Sequence, residues 1–184
     1  MWGRLFLAVI VLAFIGGAVA ILLAIRSGIS ARTEPTATET LIARSIRHLA
    51  VPLAARKLRN PVPLNAASLG DGRAHFADHC ASCHGNDGSG KTEMGPNFYP
   101  RVPDMRLAET QNLSDGELFY IIRNGVRLTG MPAWGEGHDP YDDWKLVHFI
   151  RHLPKITPAE LEEMRRLNPK TPEERDEEKF LEGH

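Results

Sequence analysis

Cysteine is scarce in this chain: of 184 residues only Cys80 and Cys83 are cysteine. Both fall in one short motif, which leaves no disulfide to report on the redox compartment. There is no third cysteine for a four-ligand zinc site, which is usually built from two such pairs. The alternating strand and helix pattern that would precede a thioredoxin-like redox pair is also missing. Net charge is close to nil at −1, and no stretch is basic enough, or suitably interleaved with aromatics, to indicate nucleic acid. Length bounds the rest, since 184 residues hold one modest domain plus appendages.

What is present begins with Cys80-Ala81-Ser82-Cys83-His84. Two thiols three positions apart with a histidine directly after the second is the pattern that fixes a c-type haem. On one helical turn the two sulfurs reach the two vinyl groups on one edge of the macrocycle, and the next residue is carried under the iron. The glycine-rich run Gly85-Asn86-Asp87-Gly88-Ser89-Gly90-Lys91 that follows lacks the strand, spacing and helix of a phosphate loop.

The near-zero net charge conceals a strong asymmetry. Residues 26–69 carry +5 (seven basic, two acidic), residues 70–153 carry −4, and residues 154–184 carry −3. Ahead of them, Leu5 to Ile25 is 21 residues without a charge, bounded by Arg4 and Arg26. At 1.5 Å per residue that is about 31 Å, the hydrocarbon thickness of a bilayer. Ala18-Val19-Ala20 has the form of a signal cleavage site, but the apolar run continues beyond it, so residues 1–25 read as a retained anchor. Gly16, Ala20 and Ala24, four apart, form a small-residue ridge able to pack on another membrane helix. Residues 26–69 read as a basic stalk containing a short amphipathic helix (Leu41, Ile42, Ile46 and Leu49, with Arg44, Arg47 and His48 opposite). Asn60-Pro61-Val62-Pro63 then forms a stiff link. The stalk can lie on anionic headgroups, dock on an acidic partner, or act as a solvated spacer.

In the segment 70–153, Ser68 is expected to cap a helix that carries Gly72, Phe76 and Cys80 at four-residue steps. Ser114-Asp115-Gly116-Glu117 is a capping box that opens a helix over Leu118 to Asn124. Asp139 caps, Pro140 begins and Pro154 stops the last helix, whose apolar face is Trp144, Leu146, Val147, Phe149, Ile150 and Leu153. His148 and His152 lie four apart but have no evident third ligand, and His75 and His79 precede the motif, as surface or packing residues do.

Gly72, Phe76, Cys80, Cys83 and His84 together resemble the first helix of class I cytochromes c. In that family the glycine allows close crossing by the last helix and the aromatic ring packs beside the haem. The resemblance extends to Gly95-Pro96-Asn97-Phe98, where it implies that the Pro96 carbonyl accepts the hydrogen bond of the ligand histidine. It also extends to Gly130-Met131-Pro132, where it implies Met131 as the sixth iron ligand; Met94 and Met105 are its competitors. Leu146 and Phe149 match the family's contacts with the first helix. The implied fold is all-α, a small helical domain over residues 70–153 around one covalent haem c, behind a single transmembrane helix. The implied iron ligands are His84 and Met131, with Cys80 and Cys83 as attachment points.

The tail, residues 154–184, carries two helix starts, at Thr157-Pro158 and Thr171-Pro172; the first opens a helix Pro158 to Leu167. The second is almost wholly charged and reads as solvated.

Two axial ligands leave no open iron position for substrate. The expected role is therefore one-electron transfer rather than catalysis by the chain itself. The expected place is the bacterial cytoplasmic membrane with the haem domain on the periplasmic side, because covalent haem attachment is completed outside the cytoplasm in proteins of this kind. Expected partners are membrane lipid at the first helix and redox proteins. They are met either by a tethered carrier in a respiratory chain or by a permanent haem subunit of a larger oxidase, dehydrogenase or quinol-oxidising complex. A gas-binding or peroxidatic haem protein is a third reading, in which the methionine is weakly held.

Overall fold

The computed structural model describes residues 2–28, 30–137 and 139–169. Every regular element among them is helical, in agreement with the all-α expectation. The chain divides into two units, Met1–Thr33 and Glu34–His184.

The first unit is built on α1 (Trp2–Ser27), which runs unbroken through Ala18-Val19-Ala20. Its stretch Trp2–Leu23 has a mean hydropathy of 3.0, and none of it is buried against protein. A helix of 22 residues that is apolar on all sides and covered by nothing satisfies its surface in hydrocarbon.

The core of the second unit is a crossing of two helices, α4 (Ala66–His75) and α8 (Pro140–His152). A Cβ on Gly72 would stand 2.3 Å from the Lys145 carbonyl oxygen and 3.3 Å from Phe149 Cβ, so the backbones meet where only glycine fits. That approach brings the Phe76 and Phe149 rings to 5.2 Å, both fully buried. Leu146, Val147, Ile150 and Leu153 close the core around them. Helix α7 (Asp115–Asn124) contributes Leu118 and Ile122, and its Phe119 ring stacks parallel on Trp144 at 4.0 Å.

The helix starts follow the capping chemistry in the sequence. Ser114 with Glu117 caps α7, Asp139 caps α8 with Pro140 behind it, and Thr157 with Glu160 caps α9 (Pro158–Leu167). One cap differs. Asn65, not Ser68, starts α4: its side chain accepts the Ser68 N–H at 2.9 Å, and the Ser68 hydroxyl accepts the Asn65 N–H at 3.0 Å. Ser68 is therefore the inner member of a reciprocal box.

The basic stalk does not stand apart, and residues 34–69 belong to the same unit as the haem domain. It contains α2 (Ala37–Ala50) and α3 (Leu53–Arg56). Part of its positive charge pairs with the acidic head: Glu117, nearly buried at the start of α7, lies 3.1 Å from His48 and 4.0 Å from Arg56, and Arg44 pairs with Glu109 of α6 (Ala108–Gln111) at 3.4 Å. At Gly116 a Cβ would stand 1.9 Å from the Ala55 carbonyl oxygen, which presses α3 directly on α7. The stiff link joins in as well, with Asn60 donating to the Trp144 carbonyl and Val62 offering its carbonyl to His148.

The tail also contributes to the core. Met164 of α9 is fully buried, and Glu160 ties the helix to α4 through Arg73 (3.3 Å) and to α8 through His152 (2.8 Å). The second tail helix, expected from Thr171 onward, lies outside the described residues.

Two measurements test this core. Gly72→Ala forces the crossing apart and is expected to lower stability by about 1–3 kcal/mol, as overpacking does, read from the denaturant midpoint; an unchanged midpoint would contradict the backbone contact. Burial pushes the Glu160 carboxyl up, but the Thr157 N–H, the His152 ring and the Thr157 hydroxyl outweigh it and hold it at about 2, against 4.5 when unfolded. A lowered folded value means stability that is present above pH 4.5 and is lost as the pH falls toward 2, on the order of 3 kcal/mol. Glu160→Gln should therefore flatten the fall in stability between pH 4.5 and 2, measured as denaturant midpoints across that range.

Candidate haem centre

The cysteine motif sits where the first core helix changes its winding. Between α4 and α5 (Ala81–His84) the chain makes one wide turn, Phe76–Cys80, in which the Ala81 N–H bonds to the Phe76 carbonyl five residues back. An uninterrupted α-helix would stack Cys80 on Phe76. The extra residue puts Ala81 on the core side, 7% exposed, and leaves Cys80 half-buried at the rim. Gly85 then ends the helix with a positive φ of 73°.

Both cysteines are free. Burial, reinforced by Cys83 and Asp143, pushes the Cys80 thiol up to about 12, so at neutral pH it is protonated. That is the wrong form for zinc, which binds thiolate, and a suitable one for addition across a vinyl group. Burial pulls the His84 imidazole down to about 4, so it too is neutral, the form that ligates iron. Its Nδ1 is buried and without a hydrogen-bond partner. No hydrogen bond among the described residues commits this neutral, buried ring, which leaves one nitrogen able to ligate iron and the other to donate. These donors fit a haem c.

The expected hydrogen bond from His84 to the Pro96 carbonyl is not formed in this structure. The proline lies in a tight 3-10 turn, Gly95–Asn97, that is attached to the motif by a different group. The Thr92 hydroxyl donates to the Cys83 carbonyl at 3.2 Å and accepts the Gly95 N–H at 2.9 Å. A Cβ on Gly95 would lie 3.3 Å from the Cys83 carbonyl oxygen, so the turn rests on the motif itself.

Phe98 extends this contact to the methionine loop. Its ring stands 2.3 Å from where a Cβ on Gly130 would be, directly before Met131. That loop is fixed at both ends: Val126 N–H bonds to the Met131 carbonyl, the Thr129 hydroxyl accepts the Met131 N–H, and Trp134 N–H reaches back to Ile122. Arg123 locks it, donating to the Gly135 carbonyl at 2.7 Å and to the fully buried Asp143 of α8 at 2.6 Å. Trp134 closes the circuit with its ring edge-on to His79 at 5.5 Å, next to Cys80. The cysteine motif, the proline turn and the Gly130-Met131 loop are thus brought together.

The competing methionines fall elsewhere. Met105 is buried in the core with its backbone bonded to Gly88 and Gln111, and Met94 is 48% exposed. Met131 is half-buried. His75 and His79 pack ring against ring at 4.9 Å, while His148 and His152 each bond a structural partner. Sequence reading missed Arg123, Asp143 and the bridging role of Phe98. Asp143 carried a signal, because it falls on the same helical stripe as Leu146, Val147 and Ile150, where an acid needs a buried partner.

Residues 67–150 match the family described as cytochrome c oxidase, cbb3-type, subunit III. That match takes in less than half of the chain and is to a c-type cytochrome domain. Over 107 residues the chain is 30% identical to the Cbb3-type cytochrome c oxidase subunit FixP of Azorhizobium caulinodans, an alignment that takes in 53% of this chain and 31% of that protein. The chain thus matches about a third of the length of that relative. The cofactor of this cytochrome domain is covalent haem c, and Cys80 and Cys83 are the thiols in its haem-binding region. Replacing both, Cys80→Ser with Cys83→Ser, should abolish covalent haem, checked by haem staining after denaturing electrophoresis; retained stain would contradict this attachment.

Proposed function

We propose that this chain is a membrane-tethered haem c protein that passes single electrons to or within a respiratory oxidase complex of the cbb3 kind. Helix α1 is its anchor, and the cytochrome domain lies on the periplasmic side. His84 and Met131 would hold the haem iron in this reading, and Pro96 would lie on the histidine side. The observation that carries it is the joining of two loops by Phe98: a neutral, buried imidazole and a half-buried thioether belong to segments packed on each other.

Haem, when bound, supplies the one-electron couple of its iron. The chain's own residues do the rest. Cys80 and Cys83 hold the porphyrin edge. The soft thioether of Met131 accepts either oxidation state and raises the potential. Arg123 and Asp143 fix the loop that carries Met131, so the sulfur keeps its place when the iron charge changes. Phe76 and Phe149 exclude water from the wall behind the histidine. Held by both His84 and Met131, the iron would have no position left for substrate, so the site would move electrons and leave oxygen chemistry to a partner subunit. The kinship to an oxidase subunit supports a complex over a free carrier.

Met131→Ala should leave haem attached but remove the sulfur-to-iron absorption band of the oxidised protein; a retained band would move the ligand to Met94 or Met105. For the complex, the haem-stained chain should migrate with oxidase subunits on native gels of gently solubilised membranes, and a lone species would overturn that part of the reading.

A further inference from the structure

The amphipathic helix α2 is docked the reverse of the usual way. Thr40 and Arg47 are its half-buried positions, and together with Arg44 they define the side turned to the head. Along its length the ties that hold α2 are polar, with only its C-cap residue, Val51, an apolar side chain buried beneath it: Glu39 to the Tyr99 hydroxyl near its start, Arg44 to Glu109 at its middle, His48 to Glu117 near its end. None of its residues is buried, and none joins the hydrophobic core. On the opposite stripe, at spacings of four and three, Ile42 is 53%, Ile46 61% and Leu49 76% exposed; Leu53, opening α3, is 69% exposed. An ordinary surface helix turns such a stripe inward. Here the polar face holds the head and the apolar face is left outside.

Chain geometry and charge say what covers it. Only residues 28–36 separate the end of α1 from the start of α2, a reach of about 30 Å when fully extended. The face is therefore confined to the neighbourhood of the bilayer that α1 crosses. Just beyond the apolar stripe, Lys57 and Arg59 are exposed and make no ion pair among the described residues, as suits anionic headgroups. Leucine and isoleucine on one face, arginine and histidine on the other, over 14 residues, is the build of a helix that lies in a membrane interface.

We propose that α2 seats the cytochrome domain on the membrane surface, with Ile42, Ile46 and Leu49 inserted among the lipid headgroups and the polar face clamping the head above. The stalk is then a rigid platform that fixes the height and tilt of the haem domain over the bilayer. This rests on α1 being the membrane anchor, and the test separates the two.

Full-length, haem-loaded protein is placed in vesicles of phosphatidylethanolamine and phosphatidylglycerol with a nitroxide at one of three sites: Phe14→Cys in α1, Ile46→Cys in α2, or Arg166→Cys on the exposed side of α9. Collision rates with dissolved oxygen and with a water-soluble nickel complex give the depth of each label. Phe14 should lie in the acyl region, Arg166 in water, and Ile46 at headgroup depth with nickel access several-fold below that of Arg166. An Ile46 label as nickel-accessible as Arg166, with Phe14 still deep, overturns the seating alone; a Phe14 label in water overturns the anchor and the seating with it. A photoreactive benzoylphenylalanine at Leu49 in native membranes should form lipid adducts. A crosslink to another polypeptide instead would overturn the lipid assignment and give this face to a protein subunit.

Discussion

The Lys145 carbonyl oxygen lies 2.3 Å from where a Cβ at position 72 would be, and the rest of the haem domain depends on that absent methyl group. Because α4 and α8 touch backbone to backbone, Phe76 and Phe149 meet and form the wall behind His84. A larger residue at 72 would lift α4, and with it the whole cysteine motif, off the helix that supports the methionine loop through Asp143. A histidine on one segment and a methionine loop far apart in sequence can be held in register only if the scaffold between them does not give, and a dense helix crossing is the stiffest joint available.

Carboxylates that cap helices carry a second duty throughout this structure. Glu117 closes the capping box of α7 and also receives His48 and Arg56 from the stalk; Glu160 closes the box of α9 and also receives Arg73 and His152. A capping carboxylate is already oriented by backbone N–H groups, so a cation that approaches its second oxygen meets an acceptor whose entropy has been removed. Docking an extra segment on such a residue needs no new buried charge. This is why both the stalk and the tail helix join the head at helix starts, while apolar residues, Met164 of the tail and Val51, Val62 and Leu69 of the stalk, pack beneath those contacts.

Local chemistry made much of this legible in advance. Caps, proline starts and the cysteine spacing act within five residues, and they located α7, α8, α9 and the haem motif closely. Gly72 was legible through the resemblance to class I cytochromes c, which implies a glycine there for close crossing by the last helix. What sequence alone did not disclose are relations between segments. The side of α2 that faces the head depends on where Glu109 and Glu117 lie in space, and an amphipathic pattern records only that two faces exist. The Thr92 hydroxyl ties the proline turn to the motif by bonding the Cys83 carbonyl and the Gly95 N–H at once, a link that only the folded loop discloses. Phe98 reads as one more apolar residue until the Gly130 backbone is seen against its ring.

The wide turn at Phe76–Cys80 can be viewed as a phase shift within a single rod. Before it, the pattern that recurs every four residues belongs to α8; after it, the same pattern is advanced by one residue, so that Ala81 rather than Cys80 continues the core-facing stripe. One helix thereby serves two neighbours set at an angle to each other without a bend or a break in its hydrogen bonding. Apart from the buried Phe76 and Ala77, the stretch between Gly72 and Cys80 is consequently a fixed length rather than a composition: one residue more or one fewer would rotate the thiol.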